Sequence, residues 1–375
     1  MNAAAARRAL LSAVAVGLLA TGCAGAGESA PDRPRTASVT PTAPTPASAA
    51  TLAGTLLVAD FDADTVTFVD PARGPVGSVR VGTAPYGLAV GADGRAWVAT
   101  AEGVAVVDTR TRTSLGRIPY ETKADGPATM GEYRAGGMGI ALSPDGSRVY
   151  VGVNVPDEKG VLEVIDTASR KVVDTVGVGR RPFDVDVSAD GSEVYATGHD
   201  SYDVTAVRAD TLRARRLEVA PYGTEGGLGS WLKPHYAAVR PADGKLLLPF
   251  EGERLAVLDP RTGRVTVEPM TANTHQHGTT LAPDGTLIVV GTGPIGGDDE
   301  EASLTIRKPD GSERVVPLDG AHEDVAVSRD SRTAYVTGGF TREGSWDGIT
   351  VVDLESGTKR KVAAGVRPLG VAVLG

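Results

Sequence analysis

Five histidines, His199, His235, His275, His277 and His322, are the residues whose type and spacing best support chemistry in this 375-residue chain. Imidazole is the commonest neutral metal ligand near physiological pH. His275 precedes His277 by two residues, and Asp184, Glu323 and Asp324 supply carboxylates that could join them. Three imidazole nitrogens with an acid or water as fourth ligand suit zinc, whereas a thioether from Met138 would tilt the choice toward copper. Such a site should release its ion below about pH 6, because protonation competes with coordination. The alternative is a set of unrelated polar residues hydrogen-bonded to water.

Other chemistries are poorly supplied. The chain has no G-x-S-x-G motif, and its one cysteine, Cys23, lies near the N-terminus, so the folded part has no thiol nucleophile, disulfide or thiolate ligand. Gly291-Thr292-Gly293-Pro294-Ile295-Gly296 matches G-x-G-x-x-G. Pro294 and the following Asp298-Asp299-Glu300-Glu301 rule out a helix start there, so the segment is a loop and not a dinucleotide site. The acidic run reads as a solvated loop, with weak Ca²⁺ binding as its alternative.

The histidines are positioned by a repeat. From residue 54 onward one pattern recurs about every 45 residues: an apolar strand, an Asp-Gly-type turn, a second strand, a third ending in Asp-Thr or Asp-Pro, and a fourth. Seven first strands align: PYGLAV (85–90), GMGIAL (137–142), PFDVDV (182–187), PHYAAV (234–239), QHGTTL (276–281), HEDVAV (322–327) and PLGVAV (368–373). Alternating runs joined by Gly-bearing turns are antiparallel strands, and a four-strand unit at this period points to propeller blades. The expected fold is all-β: a seven-bladed β-propeller of four-stranded antiparallel blades. The chain starts at TLLVADF (55–61), which reads as a second strand, and ends on a first strand. The C-terminal strand therefore joins the first blade and closes the ring, removing an open edge.

Within such a blade the start of each first strand and the end of each second strand lie on one face, here the top. The long insertions, 121–136, 220–233, 293–302 and 340–347, are all on that face, and Trp231 and Trp346 lie in them. Long loops on a rigid scaffold are where binding usually resides. His235 and His277 share one repeat position at which the other first strands carry Tyr86, Met138, Phe183, Glu323 and Leu369. His322 begins the next first strand and His199 ends the second strand after Phe183. The expectation is a group of three or four histidines at the channel mouth, with Asp184, Glu323 and Asp324 nearby.

The repeat resembles the YVTN family of β-propellers, also described as surface-layer-like. The resemblance rests on Ser143-Pro144-Asp145-Gly146 followed by Val149-Tyr150-Val151, and on Tyr335-Val336-Thr337. It covers nearly all of residues 54–375 and implies fold far more than function. The blades together with His235, His275, His277 and His322 are also similar to periplasmic zinc metallochaperone propellers, without the cysteine pair that some of those carry.

Residues 1–22 read as a signal peptide, with Arg7-Arg8 before the apolar stretch Ala9–Ala20, too short for a stable membrane span. Leu19-Ala20-Thr21-Gly22-Cys23 resembles a bacterial lipobox, which implies cleavage before Cys23 and lipidation of its thiol. Residues 23–53 are then the lipidated cysteine and a disordered Ala/Pro/Thr tether, and 54–375 the propeller. The expected location is extracytoplasmic, anchored to the cell membrane by Cys23. The formal net charge is −9, which argues against nucleic acid or anionic lipid as partner.

The leading functional expectation is a monomeric propeller that binds a divalent metal ion, zinc before copper, in sequestration or delivery, with a metal-transport protein as partner. The competing expectations are a cell-surface scaffold for a protein or glycan, and a lactonase-like or quinoprotein-like enzyme. A lactonase site usually needs carboxylate and amide ligands for Ca²⁺, whereas this set is rich in imidazole.

Overall fold

In each repeat the second and third strands are near-continuous apolar runs, because both their faces are covered by neighbouring blades. The computed structural model describes residues 54–126, 131–219, 233–250, 254–272, 275–293, 301–340 and 344–375. The chain opens with strands β1 (Leu56–Asp60), β2 (Thr65–Asp70) and β3 (Gly74–Arg80), followed by β4 (Leu88–Val90), β5 (Arg95–Ala99), β6 (Gly103–Asp108) and β7 (Thr113–Pro119). Four further blades run from β8 (Gly136–Leu142) to β11 (Lys171–Gly177), β12 (Pro182–Val187) to β15 (Ala214–Glu218), β16 (Ala238–Val239) to β19 (Arg264–Pro269), and β20 (Gln276–Leu281) to β23 (Glu313–Pro317). The last are β24 (Val325–Val327) to β27 (Lys359–Ala363), and β28 (Pro368–Val373). β1 is buried along its length. The outermost strands β3, β7, β11 and β19 are largely exposed and carry Arg80, Arg117, Lys171 and Arg264, charges that discourage edge-to-edge pairing.

Every sheet has four antiparallel strands, and one of the seven is ordered β28-β1-β2-β3. β28 pairs with β1 in the register Leu56↔Val373, Leu57↔Ala372 and Val58↔Val371. The ring is thus closed by the C-terminal strand, as the repeat phase requires. The seven innermost strands, β28, β4, β8, β12, β16, β20 and β24, each contact the next around the ring.

The apolar core is distributed between blades. Tyr195, Val204 and Leu217 pack on Leu246, Leu248 and Leu258 of the next blade, and Ile288, Leu304 and Ile306 pack on Val325, Val336 and Val352. Turns from first to second strand are fixed by side chains. Ser143 Oγ and the Ser147 amide both donate to Asp145 Oδ1, at 2.6 and 3.0 Å, while Gly146 takes φ 71°, a region open to glycine at little cost.

One irregularity positions the site. In β8, β12, β20 and β28 the ladder slips at the second and third repeat positions, between Gly137 and Ile140, Pro182 and Asp184, Gln276 and Thr279, and Pro368 and Val371. In β4, β16 and β24 regular pairing begins only beyond those positions. A bulge re-aims a side chain that a regular strand would point elsewhere. The second-position residues Tyr86, Met138, Phe183, His235, His277, Glu323 and Leu369 are all buried. The inner strands approach so closely that a Cβ on Gly278 would lie 2.6 Å from Asp324 Cα and 2.7 Å from the Glu323 carbonyl oxygen.

Candidate metal centre

His277 projects from the β20 bulge, His275 from the residue just before that strand, and His235 from the segment leading into β16. His199 follows the end of β13 (Glu193–Gly198). All four are buried, with 1–2% of their surface exposed. One ring nitrogen from each of His235, His275 and His277 lies within 4.8 Å of the others. His235 Nε2 is 3.1 Å from His275 Nε2 and 3.1 Å from His199 Nε2. Tetrahedral Zn–N bonds of about 2.0–2.1 Å would separate ligand nitrogens by about 3.3 Å, close to this spacing. Ring protons join nitrogens only in pairs, whereas a cation accepts lone pairs from three or more at once. The residues present therefore fit a borderline divalent ion.

The cluster is walled by aromatic rings. Phe183 stacks on His199 at 5.5 Å between centroids and meets His235 edge-on at 5.2 Å, while Phe340 meets His277 edge-on at 4.8 Å. Two carboxylates reach it from behind. Asp200 Oδ1 contacts His199 Nδ1 at 2.8 Å and Lys233 Nζ at 2.8 Å, and Asp200 Oδ2 contacts Arg181 at 2.9 Å. Burial alone would raise the Asp200 carboxyl. The His199 hydrogen bond, the Arg181 guanidinium and the Lys233 ammonium outweigh it and hold the carboxyl well below the ordinary range. Glu323 Oε1 accepts from the Tyr86 and Tyr236 hydroxyls at 2.9 and 3.2 Å, and Oε2 lies 3.3 Å from His277 Nδ1. Behind Tyr86, the buried Arg134 guanidinium sits 5.7 Å from the ring centroid and donates to the Ala135 carbonyl at 3.0 Å.

Of the sequence-predicted residues, the structure brings His235, His275, His277 and His199 together, with Glu323 beside His277. It does not bring in His322, which stands one repeat position earlier. His322 Nδ1 faces the Gly320 carbonyl at 2.7 Å, its Nε2 faces Thr350 Oγ1 at 2.7 Å, and burial lowers its pKa to about 4. Asp184 and Asp324, at the third position, face sideways and tie blades together. Asp184 accepts from the Val185 and Ala237 amides at 2.9 and 2.9 Å, and Asp324 from the Val325 and Val371 amides at 2.7 and 3.3 Å. Each is half-buried, and the surrounding protein excludes most solvent. Burial pushes Asp184 up to about 6 and Asp324 up to about 7, with the Glu323 and Asp184 charges adding to the latter. Met138 packs with Phe61, Tyr86, Phe183 and Leu369, so its thioether sits in an apolar cluster. The histidines of the cluster are buried. Asp200, Phe183, Phe340 and Tyr236 were missed as contributors; the adjacency of Asp200 to His199 was the available signal. Cys23, the signal and tether segments, Trp231 and Asp298-Asp299-Glu300 lie outside the described residues.

This fold recurs among solved structures. The chain is a β-propeller. Kuenenia stuttgartiensis hydrazine synthase matches with a TM-score of 0.60 at 17% identity, covering 76% of this chain and 88% of that one. Virginiamycin B lyase from Staphylococcus aureus matches with a TM-score of 0.59 at 15% identity, over 78% of this chain and 89% of the other. A protein of unknown function from Desulfotomaculum acetoxidans DSM 771 matches with a TM-score of 0.65 at 11% identity, over 85% and 98%. At these identities the likeness concerns fold alone. No protein-family model matches the chain, and no curated protein matches it.

Proposed function

We propose that this propeller binds one divalent transition-metal ion, zinc before copper, between His235, His275 and His277 with His199 alongside, and serves in its sequestration or delivery outside the cytoplasm. The observation that carries the reading is the convergence of three buried imidazoles whose ring nitrogens lie within 4.8 Å of one another. An all-imidazole donor set favours zinc or copper over the hard cations Ca²⁺ and Mg²⁺, which take oxygen ligands. The chain would be held at the membrane by lipid on Cys23, in keeping with the lipobox-like segment. Calorimetry on tagless protein tests the site. The parent should bind about one equivalent of Zn²⁺, and His235→Ala and His277→Ala should each weaken that binding at least tenfold. If both variants bind zinc as the parent does, the metal reading is wrong and the binding-scaffold reading replaces it.

A further inference from the structure

We infer that Glu323 and Asp200 are positioning residues that favour the ring protons of His277 and His199 on Nδ1, leaving the lone pair of each ring on Nε2. The inference rests on the reading of these histidines as a metal site. It also reassigns Glu323, which the sequence suggested as a ligand, to a place behind one.

The donors around each carboxylate fix its orientation. A phenol hydroxyl donates, so the oxygen that receives both Tyr86 and Tyr236 is an acceptor. That fixes the orientation of Glu323 and presents its other oxygen to His277 Nδ1 at 3.3 Å. A nitrogen facing a carboxylate oxygen is favoured as N–H, and a neutral ring with its proton on Nδ1 has its lone pair on Nε2. Both ring nitrogens of His277 are buried and neither has a hydrogen-bond partner among the described residues, so the approach of Nδ1 to Glu323 Oε2 at 3.3 Å is a charge contact that favours a proton there without a formed hydrogen bond. Asp200 repeats the device on independent supports, since Arg181 and Lys233 are cationic donors to it and His199 Nδ1 lies at 2.8 Å. The Nε2 of that ring is the atom 3.1 Å from His235 Nε2. Carboxylates behind metal-bound imidazoles fix the tautomer and raise ligand basicity, and their loss typically costs about 10–100-fold in metal affinity.

The test is Glu323→Gln, which keeps an oxygen for the two phenols and turns an amide NH₂ toward His277 Nδ1. In ¹⁵N-histidine-labelled, metal-free protein, imidazole correlation spectra should place the His277 proton on Nδ1 in the parent and on Nε2 in E323Q. Zinc affinity should fall about 10–100-fold in E323Q, and Glu323→Asp, which retains the carboxylate, should restore the Nδ1 proton and most of the affinity. A parent His277 protonated on Nε2, or an E323Q protein that keeps both tautomer and affinity, overturns the inference. Should E323Q not fold, the tautomer of the parent decides alone. Failure of the metal reading looks different: the parent would bind no zinc while its tautomers stayed as assigned.

Discussion

Deleting residues 367–375 removes the innermost strand of the closing blade, and the structure sets the scale of the damage. Leu369, Val371 and Leu374 are 0%, 8% and 2% exposed. At about 1.5–3 kcal/mol for each buried apolar side chain, their loss amounts to about 5–9 kcal/mol, an upper bound because the unfolded chain already buries some apolar surface. The deletion also strips β1 of its partner at Leu56, Leu57 and Val58 and leaves an apolar edge open to other chains. A domain of this kind has a total stability of about 5–15 kcal/mol, so the truncated protein should be unfolded or associated at room temperature. Urea titration followed by circular dichroism, with light scattering on the same samples, reads both effects. A truncated protein that stays monomeric, with a midpoint matching the parent, would refute the account of ring closure.

Two further predictions concern other parts of the chain. The folded-state pKa of His322, about 4, lies below the ordinary imidazole value of about 6.5, so the unfolded chain is protonated first. The stability associated with neutral His322 is therefore intact above about pH 6.5 and lost as pH falls toward 4, by about 3 kcal/mol. His322→Gln should flatten that limb of the stability–pH curve, and an unchanged limb would contradict the assignment. Cys23→Ala should release the protein from the membrane to the medium; persistent membrane retention on fractionation counts against the lipid anchor.

The fold was legible because its determinants are local and repeated. Apolar alternation, an Asp-Gly turn and an Asp-ending third strand each act within one blade; the turn recurs at Gly94, Gly146, Gly191, Gly244 and Gly285 and the strand end at Asp70, Asp108, Asp166, Asp259 and Asp353, so the copies confirm one another. Even a variant turn stays in phase: Ser331, at φ 57°, occupies the left-handed position that Gly146 and Gly191 fill elsewhere. The phase of the two chain ends then dictated closure, since a chain that begins on a second strand and ends on a first can complete its blade in only one way.

The candidate site was legible only in part, and the bulges explain which part. Alignment assigned His235 and His277 to one position on adjacent strands, and the interruption of the ladder there turns that position into the ring of buried residues. An alignment does not reveal the interruption itself, and neighbouring positions behave differently because of it. His322, one place earlier, is directed to Gly320 and Thr350. Asp184 and Asp324, one place later, reach across to amides of the next blade. Residue type alone made these three as credible as ligands as His235. Glu323 shares the position of His235 and His277, yet two phenols claim one of its oxygens and leave the other for an imidazole. Those phenols come from Tyr86 and Tyr236, which lie 237 and 87 residues away in sequence and are brought to the same carboxylate only when the ring is closed. The chemistry of the cluster thus depends on closure of the ring as much as on the identity of its histidines.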